Sequence, residues 1–131
     1  IPDLVRDRRI VIVEDSVVRG TTTRSKMRAI RHAGAKEIHL RVSCPPIRHP
    51  CFYGIDFPTP TELIAHQRTV EQIRAFLEVD SLAYLSLEGM LSCLKHPPQR
   101  YCSACWNGRY KIPIDEPMGK FSFERDQLRM F

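Results

Sequence analysis

No stretch of this chain holds the roughly 18 consecutive apolar residues that a transmembrane helix needs, so a membrane helix is not expected. Nor do its first residues show the charged and then apolar pattern of a secretory signal. Cysteine is scarce and odd in number, five at irregular spacing. That argues against a secreted disulfide framework and for a cytoplasmic protein with free or metal-bound thiols. No segment repeats, which removes solenoid architectures. Positive charge is not concentrated anywhere: the 20 Lys and Arg outnumber the 15 Asp and Glu but are spread along the chain. A nucleic-acid partner is therefore not expected, whereas a solvated surface and a small anionic ligand are. The histidines, His32, His39, His49, His66 and His96, have no metal-binding spacing and read as surface or packing residues. With 131 residues the chain is one domain or less. It begins at Ile1 and runs almost at once into an apolar strand, so a fragment of a longer protein is expected.

What is present is concentrated in Ile10-Val11-Ile12-Val13-Glu14-Asp15-Ser16-Val17-Val18-Arg19-Gly20-Thr21-Thr22-Thr23. Four β-branched residues in a row predict a strand buried on both faces of a parallel sheet. Glu14 and Asp15 then fall at its carboxyl end, where open α/β sheets bind ligands. Gly20 allows the backbone to approach a ligand closely. Thr21, Thr22 and Thr23 supply hydroxyls and a helix cap, where free N–H groups and the helix dipole favour an anion. Val18 to Thr22 read as a phosphate loop. Arg19 stands in it either as a cationic contact or as a solvated side chain. Together these residues suit a phosphorylated sugar, with phosphate on the loop and ribose hydroxyls or a metal on the two carboxylates.

Further along, Thr22 to His32 read as a helix with Met27, Ile30 and Ala33 on its buried face and Gly34 at its end. Ile38, Leu40 and Val42 alternate in a second strand over Glu37 to Val42. The two strands and the helix make a βαβ unit. A proline-rich ordered loop covers 45–60, and Thr61 to Ala65 predict a short helix. Thr69 with Gln72 forms a capping box for a helix to about Glu78. Ser81 to Leu85 predict a short strand, and Ser86 caps a last helix reaching about Leu94. Residues 99–131 have no clear period and read as a tail that packs on a neighbour or is partly disordered. Cys102-Ser103-Ala104-Cys105 is a Cys-x-x-Cys pair, open on its own to zinc, redox chemistry or coincidence. A thioredoxin-like reading lacks its strand–helix context. Cys44 and Cys93 read as buried small hydrophobes, and Tyr101 and Trp106 as shields of the pair.

The Glu14-Asp15-Ser16-Val17-Val18-Arg19-Gly20-Thr21-Thr22 segment resembles the phosphoribosylpyrophosphate (PRPP) motif of type I phosphoribosyltransferases. In wording it is closer to the glutamine PRPP amidotransferases of purine synthesis. Pro45 to Asp56, Glu62-Leu63-Ile64-Ala65-His66 and Asp80 to Met90 resemble the same family in the same order, and Cys102 to Tyr110 resembles its iron–sulfur branch. The resemblance covers roughly residues 8–112. It implies an α/β fold, a partial Rossmann-like parallel sheet of the type I phosphoribosyltransferase kind over 1–95, then an irregular tail over 96–131. It implies PRPP contacts by Glu14, Asp15, Ser16, Val18, Arg19, Gly20, Thr21 and Thr22, with Glu14 and Asp15 on the ribose or on Mg²⁺, for which one or two carboxylates suffice. The family usually has Asp-Asp here, so Glu14 is a departure with a longer arm. The resemblance also implies a [4Fe–4S] cluster on Cys51, Cys102 and Cys105, with a fourth thiolate from outside this chain.

The activity implied is formation of 5-phosphoribosylamine from PRPP and glutamine-derived ammonia by a homo-oligomer. The family's glutaminase nucleophile has no counterpart here, so no catalytic residue is assigned and the fragment is expected to be inactive alone. Two other readings stand beside this one: a different PRPP-binding transferase or PRPP-sensing regulator, and a zinc-stabilised interaction domain.

Overall fold

The computed structural model describes residues 2–55 and 59–113. Expectations for the tail beyond Pro113 lie outside the described residues. A short helix, α1 (Pro2–Val5), precedes β1 (Arg9–Glu14), α2 (Thr21–His32) and β2 (Glu37–Val42). After a long loop and a 3₁₀ turn (Pro60–Glu62) come α3 (Val70–Leu77), β3 (Ser81–Tyr84) and α4 (Leu87–Ser92). A second 3₁₀ turn (Pro98–Arg100) leads to α5 (Ala104–Asn107). The sheet is parallel in the order β1-β2-β3, with Ile10 beside Ile38, Ile12 beside Leu40, and Leu40 beside Leu82.

One face of this sheet carries the core. Ile38 and Leu40 are wholly buried, Met27 of α2 and Ile73 and Leu77 of α3 close over them, and Ile10, Ile12 and Leu82 pack at the margin. Each such side chain contributes about 1.5–3 kcal/mol on leaving water. The helices form for local reasons. Thr69 Oγ1 accepts from Gln72 N at 3.2 Å while the Gln72 side chain accepts from Thr69 N at 2.8 Å, the expected capping box. Ser86 Oγ likewise accepts from Gly89 N. Asp80 joins the layers, since one carboxylate oxygen accepts from Ile38 N and from Arg31 of α2, both at 2.6 Å.

Several expectations need correction. β1 is not buried on both faces: Val11 is 62% and Val13 71% exposed, because among the described residues no element covers the face opposite α2 and α3. A buried-type sequence therefore stands here with only one side packed. Thr61 to Ala65 do not form a helix. The 3₁₀ turn stops at Glu62, Leu63 is extended, and Ile64 to His66 form a turn closed by His66 N on Leu63 O at 3.0 Å, with Leu63, Ile64 and Ala65 buried in the core. Cys93 is exposed rather than buried, while Cys44 is buried as expected. The tail is partly built after all, since α5 packs Ala104 and Trp106 against the core.

Candidate functional site

β1 ends at Glu14, and the chain leaves the sheet at its carboxyl edge through Asp15 to Gly20 before α2 begins at Thr21. Val17, 2% exposed, pins the middle of this loop into the core. Val18 O accepts from Ile64 N at 2.9 Å, which ties the loop to the buried turn that follows the 3₁₀ turn. The helix cap is Gly20 itself, at φ 79°, with no side-chain cap; the threonines follow it as the first turn. A threonine cap was expected. Gly20 takes the place because an added Cβ would lie 2.6 Å from Ile64 Cδ1 and 3.2 Å from Phe76 Cε1. The glycine thus serves close packing beneath the loop.

The polar groups gather at one end of the sheet. The first-turn amides of α2 have no intrahelical acceptor, and the first turn holds no acidic residue to offset the dipole. Asp15 is exposed, and its Oδ1 accepts from Ser16 N at 2.6 Å. Glu14 is half-buried, with Oε1 accepting from Lys26 Nζ at 3.2 Å. Arg19 is not loose in solvent: its Nε donates to Glu62 Oε1 at 3.1 Å. An anion at the loop would meet helix amides, threonine hydroxyls and Arg19, with two carboxylates beside it.

The cysteines form a second locality. Cys105 O accepts from Arg48 N and His49 N, both at 3.0 Å, which docks α5 on the loop before Cys51. Tyr110 Oη donates to Pro50 O at 2.7 Å, and Ile112 N donates to Tyr53 Oη at 3.0 Å. The Phe52 and Tyr110 rings lie 5.1 Å apart. Burial, then the neighbouring Cys51 and Cys102 thiols, push the Cys105 thiol up to about 11. Burial and the same three thiols also raise Tyr110. Cys51, Cys102 and Cys105 thus share one neighbourhood about fifty residues apart in sequence. They do not close on a single point: among the described residues no three His, Cys, Asp or Glu side chains stand together as the ligand set of a metal ion. The donor chemistry suits a metal group, because a cation offsets the cost of bringing three thiolates, two of them half-buried, close together.

Trp106 follows Cys105 directly in α5. It packs into the core, and its indole N–H has no hydrogen bond of ordinary geometry although it lies close enough to Cys44 to influence that thiol. The Cys44 thiol is pushed up by burial first and by Asp15 second. Tyr101 lies against His96. A cavity of about 350 Å³ between α2 and the end of α3 is lined by Met27, Arg28, Arg31, His32 and Glu78, none of them in either locality.

Two residues without an expected role, Arg48 and Glu62, turn out to connect these parts. Arg48 Nη1 donates to Ala65 O at 2.8 Å, and Arg48 O meets His66 Nδ1 at 2.9 Å. A signal for Glu62 was present in Thr59-x-x-Glu62, the spacing of a capping box.

No protein-family model matches the chain. Curated relatives do. The amidophosphoribosyltransferase of Synechocystis sp. is 54% identical over 114 residues, 87% of this chain and 23% of that protein. The one from Mycobacterium leprae is 45% identical over 125 residues, 90% of this chain and 22% of its own length. Among solved structures, the B. subtilis glutamine PRPP amidotransferase complexed with ADP and GMP superposes with a TM-score of 0.81 at 43% identity, covering 90% of this chain and 27% of that one. The chain spans about a quarter of the length of the relatives it matches. Over most of its own length, it is homologous to one segment of the amidophosphoribosyltransferases and shares their α/β fold.

Proposed function

We propose that this chain supplies the ribose-phosphate half of a PRPP site in an enzyme that forms 5-phosphoribosylamine from PRPP and glutamine. The observation that carries this reading is the loop from Glu14 to Thr22, set at the carboxyl edge of a parallel sheet and the start of α2, in a chain whose relatives bear that activity's name. The amides of Thr21 and Thr22, their hydroxyls and Arg19 bind the 5′-phosphate. Each charge-assisted bond adds about 1.5–3 kcal/mol. Asp15 and Glu14 hold the ribose hydroxyls or Mg²⁺, which would neutralise the departing pyrophosphate. Ammonia from glutamine attacks the anomeric carbon, the C–O bond to pyrophosphate breaks, a C–N bond forms, and the nitrogen gives up a proton. This chain's residues act by holding the phosphate end still while charge develops on the ribose.

Cys51, Cys102 and Cys105 supply three thiolates to a [4Fe–4S] cluster, with the fourth from outside this chain. Their shared, partly desolvated neighbourhood supports this. The transferase reading is tested by Asp15→Asn in the intact protein. A neutral amide cannot hold the ribose or Mg²⁺ as a carboxylate does, so PRPP-dependent turnover should fall at least about tenfold, while glutamine hydrolysis measured apart falls less. Unchanged PRPP kinetics would remove Asp15 from the site.

A further inference from the structure

Thr59 to His66 has so far only a structural part, yet it meets the phosphate loop at every level. Ile64 N holds Val18 O at 2.9 Å, and the Ile64 side chain lies against Gly20. Leu63, Ile64 and Ala65 are all buried, so the segment is a rigid base. At its start Glu62 is bound on both carboxylate oxygens. Oε2 accepts from Thr59 Oγ1 at 3.1 Å and from Thr59 N at 3.3 Å, and Oε1 accepts from Arg19 Nε at 3.1 Å. Among the described residues no acceptor engages the terminal nitrogens of Arg19, which keep the donor fork that matches a phosphate edge. Both side chains of the pair are about half exposed, so the ion pair adds little to stability.

We propose that Glu62 is a positioning residue for anion binding: it fixes Arg19 by Nε on the Thr59–Ala65 base, so that the free end of the guanidinium meets the 5′-phosphate of PRPP. This rests on the reading of residues 14–22 as the PRPP site. Two effects of Glu62 oppose each other, and their signs differ. As a negative charge beside an anion site it repels phosphate, so its removal by charge alone tightens binding. As a tether it reduces the freedom that Arg19 must lose on contact, so its removal weakens binding. Positioning wins in this proposal, because the Thr59 bonds hold the carboxylate independently of any ligand.

PRPP affinity of the intact protein, measured by calorimetry, decides between them. Arg19→Ala should weaken binding about tenfold, the equivalent of about 1.4 kcal/mol. Glu62→Ala should weaken it about three- to tenfold, and the isosteric Glu62→Gln should move it in the same direction. In turnover the KM for PRPP should rise with kcat nearly unchanged. In the Arg19→Ala background, Glu62→Ala should change affinity by less than about twofold, because it acts through Arg19. Tighter or unchanged binding in both Glu62 variants, or losses that simply add, would overturn the proposal. Asp15→Asn separates the two levels. If Asp15→Asn and Arg19→Ala both bind PRPP normally, the site assignment itself is wrong; if both weaken and the Glu62 variants do not, only the tether is wrong.

Discussion

Replacing Gly20 by alanine is the most direct test of how the loop is built. The residue sits at φ +79°, a left-handed conformation that costs a side-chain-bearing residue about 1–2 kcal/mol. The new Cβ would also lie 2.6 Å from Ile64 Cδ1, with Phe76 Cε1 at 3.2 Å and Leu77 Cδ2 at 3.4 Å. The Ile64 methyl is the end of a side chain and can swing. Ile64 is only 3% exposed, however, and its neighbours leave little room, so overpacking adds about 1–3 kcal/mol. The total is about 2–5 kcal/mol of local stability, and more for Gly20→Val, whose branched side chain is worse placed on both counts. Native-state hydrogen exchange at the amides of α2 reads this directly. Ile64→Val removes the clashing methyl and should recover the packing part but not the conformational part, so the two substitutions should couple in a double-mutant cycle. A loss below about 0.5 kcal/mol for Gly20→Ala, or no coupling to Ile64, would refute the packing account. Weak PRPP binding by a Gly20→Val protein is therefore no evidence for phosphate approach until its fold has been checked.

Glu78 gives a pH dependence. Its carboxyl is held down at about 2 by hydrogen bonds from Arg28 first and Arg24 second, against 4.5 for an unperturbed glutamate. A depressed carboxyl contributes stability that is fully present above pH 4.5 and lost as the pH falls toward 2. The α2–α3 contact should therefore loosen over that window, and Glu78→Gln should flatten the loss; equal acid sensitivity in both proteins would count against it. Cys105→Ser in anaerobically purified intact protein should abolish the brown absorbance and the iron, about four per chain in the unaltered protein. Stoichiometric zinc without iron would reject the cluster and leave the PRPP-site argument standing.

The parts of this fold that could be read from the sequence are those whose cause is local. The alternation of Ile38, Leu40 and Val42 placed β2 correctly, and Thr69 with Gln72 marked the start of α3, because period and cap are properties of a few adjacent residues. Burial of β1 was misjudged because it depends on what lies across the sheet, which no residue of the strand records. Leu63 to Ala65 look helical in isolation but are held in a turn by the Val18 carbonyl and the Arg48 side chain, 46 and 17 residues away for Ile64 and Ala65. Of the candidate site, the place of the loop between β1 and α2 was legible, since an apolar run, a glycine and a helical period follow one another in a few adjacent residues. The partner of Arg19 was not, because Glu62 lies 43 residues on.

The same long-range bonds give the two localities a common base. Starting at the phosphate loop, Val18 O is held by Ile64 N, and the next residue's carbonyl, Ala65 O, is held by Arg48 Nη1. Arg48 N and His49 N in turn hold Cys105 O, and Pro50 receives Tyr110 Oη. A hydrogen-bonded path therefore runs from the PRPP-type motif to the cysteine pair without passing through the sheet. Side chain and backbone alternate along it, and every residue from Leu63 to Ala65 is buried, so it deforms as a unit rather than bond by bond. Arg48 belongs to both halves, its side chain holding Ala65 O and its backbone N–H holding Cys105 O. Arg48→Ala leaves Ala65 O without this donor but keeps the backbone bond to Cys105 O, so it cuts the path at one link, at a cost of about 1–3 kcal/mol for an unmet buried carbonyl. Hydrogen exchange in the intact protein should then rise together at Ile64 and at the amides of Trp106 to Gly108. A rise at only one of the two would show that the path is a string of independent contacts.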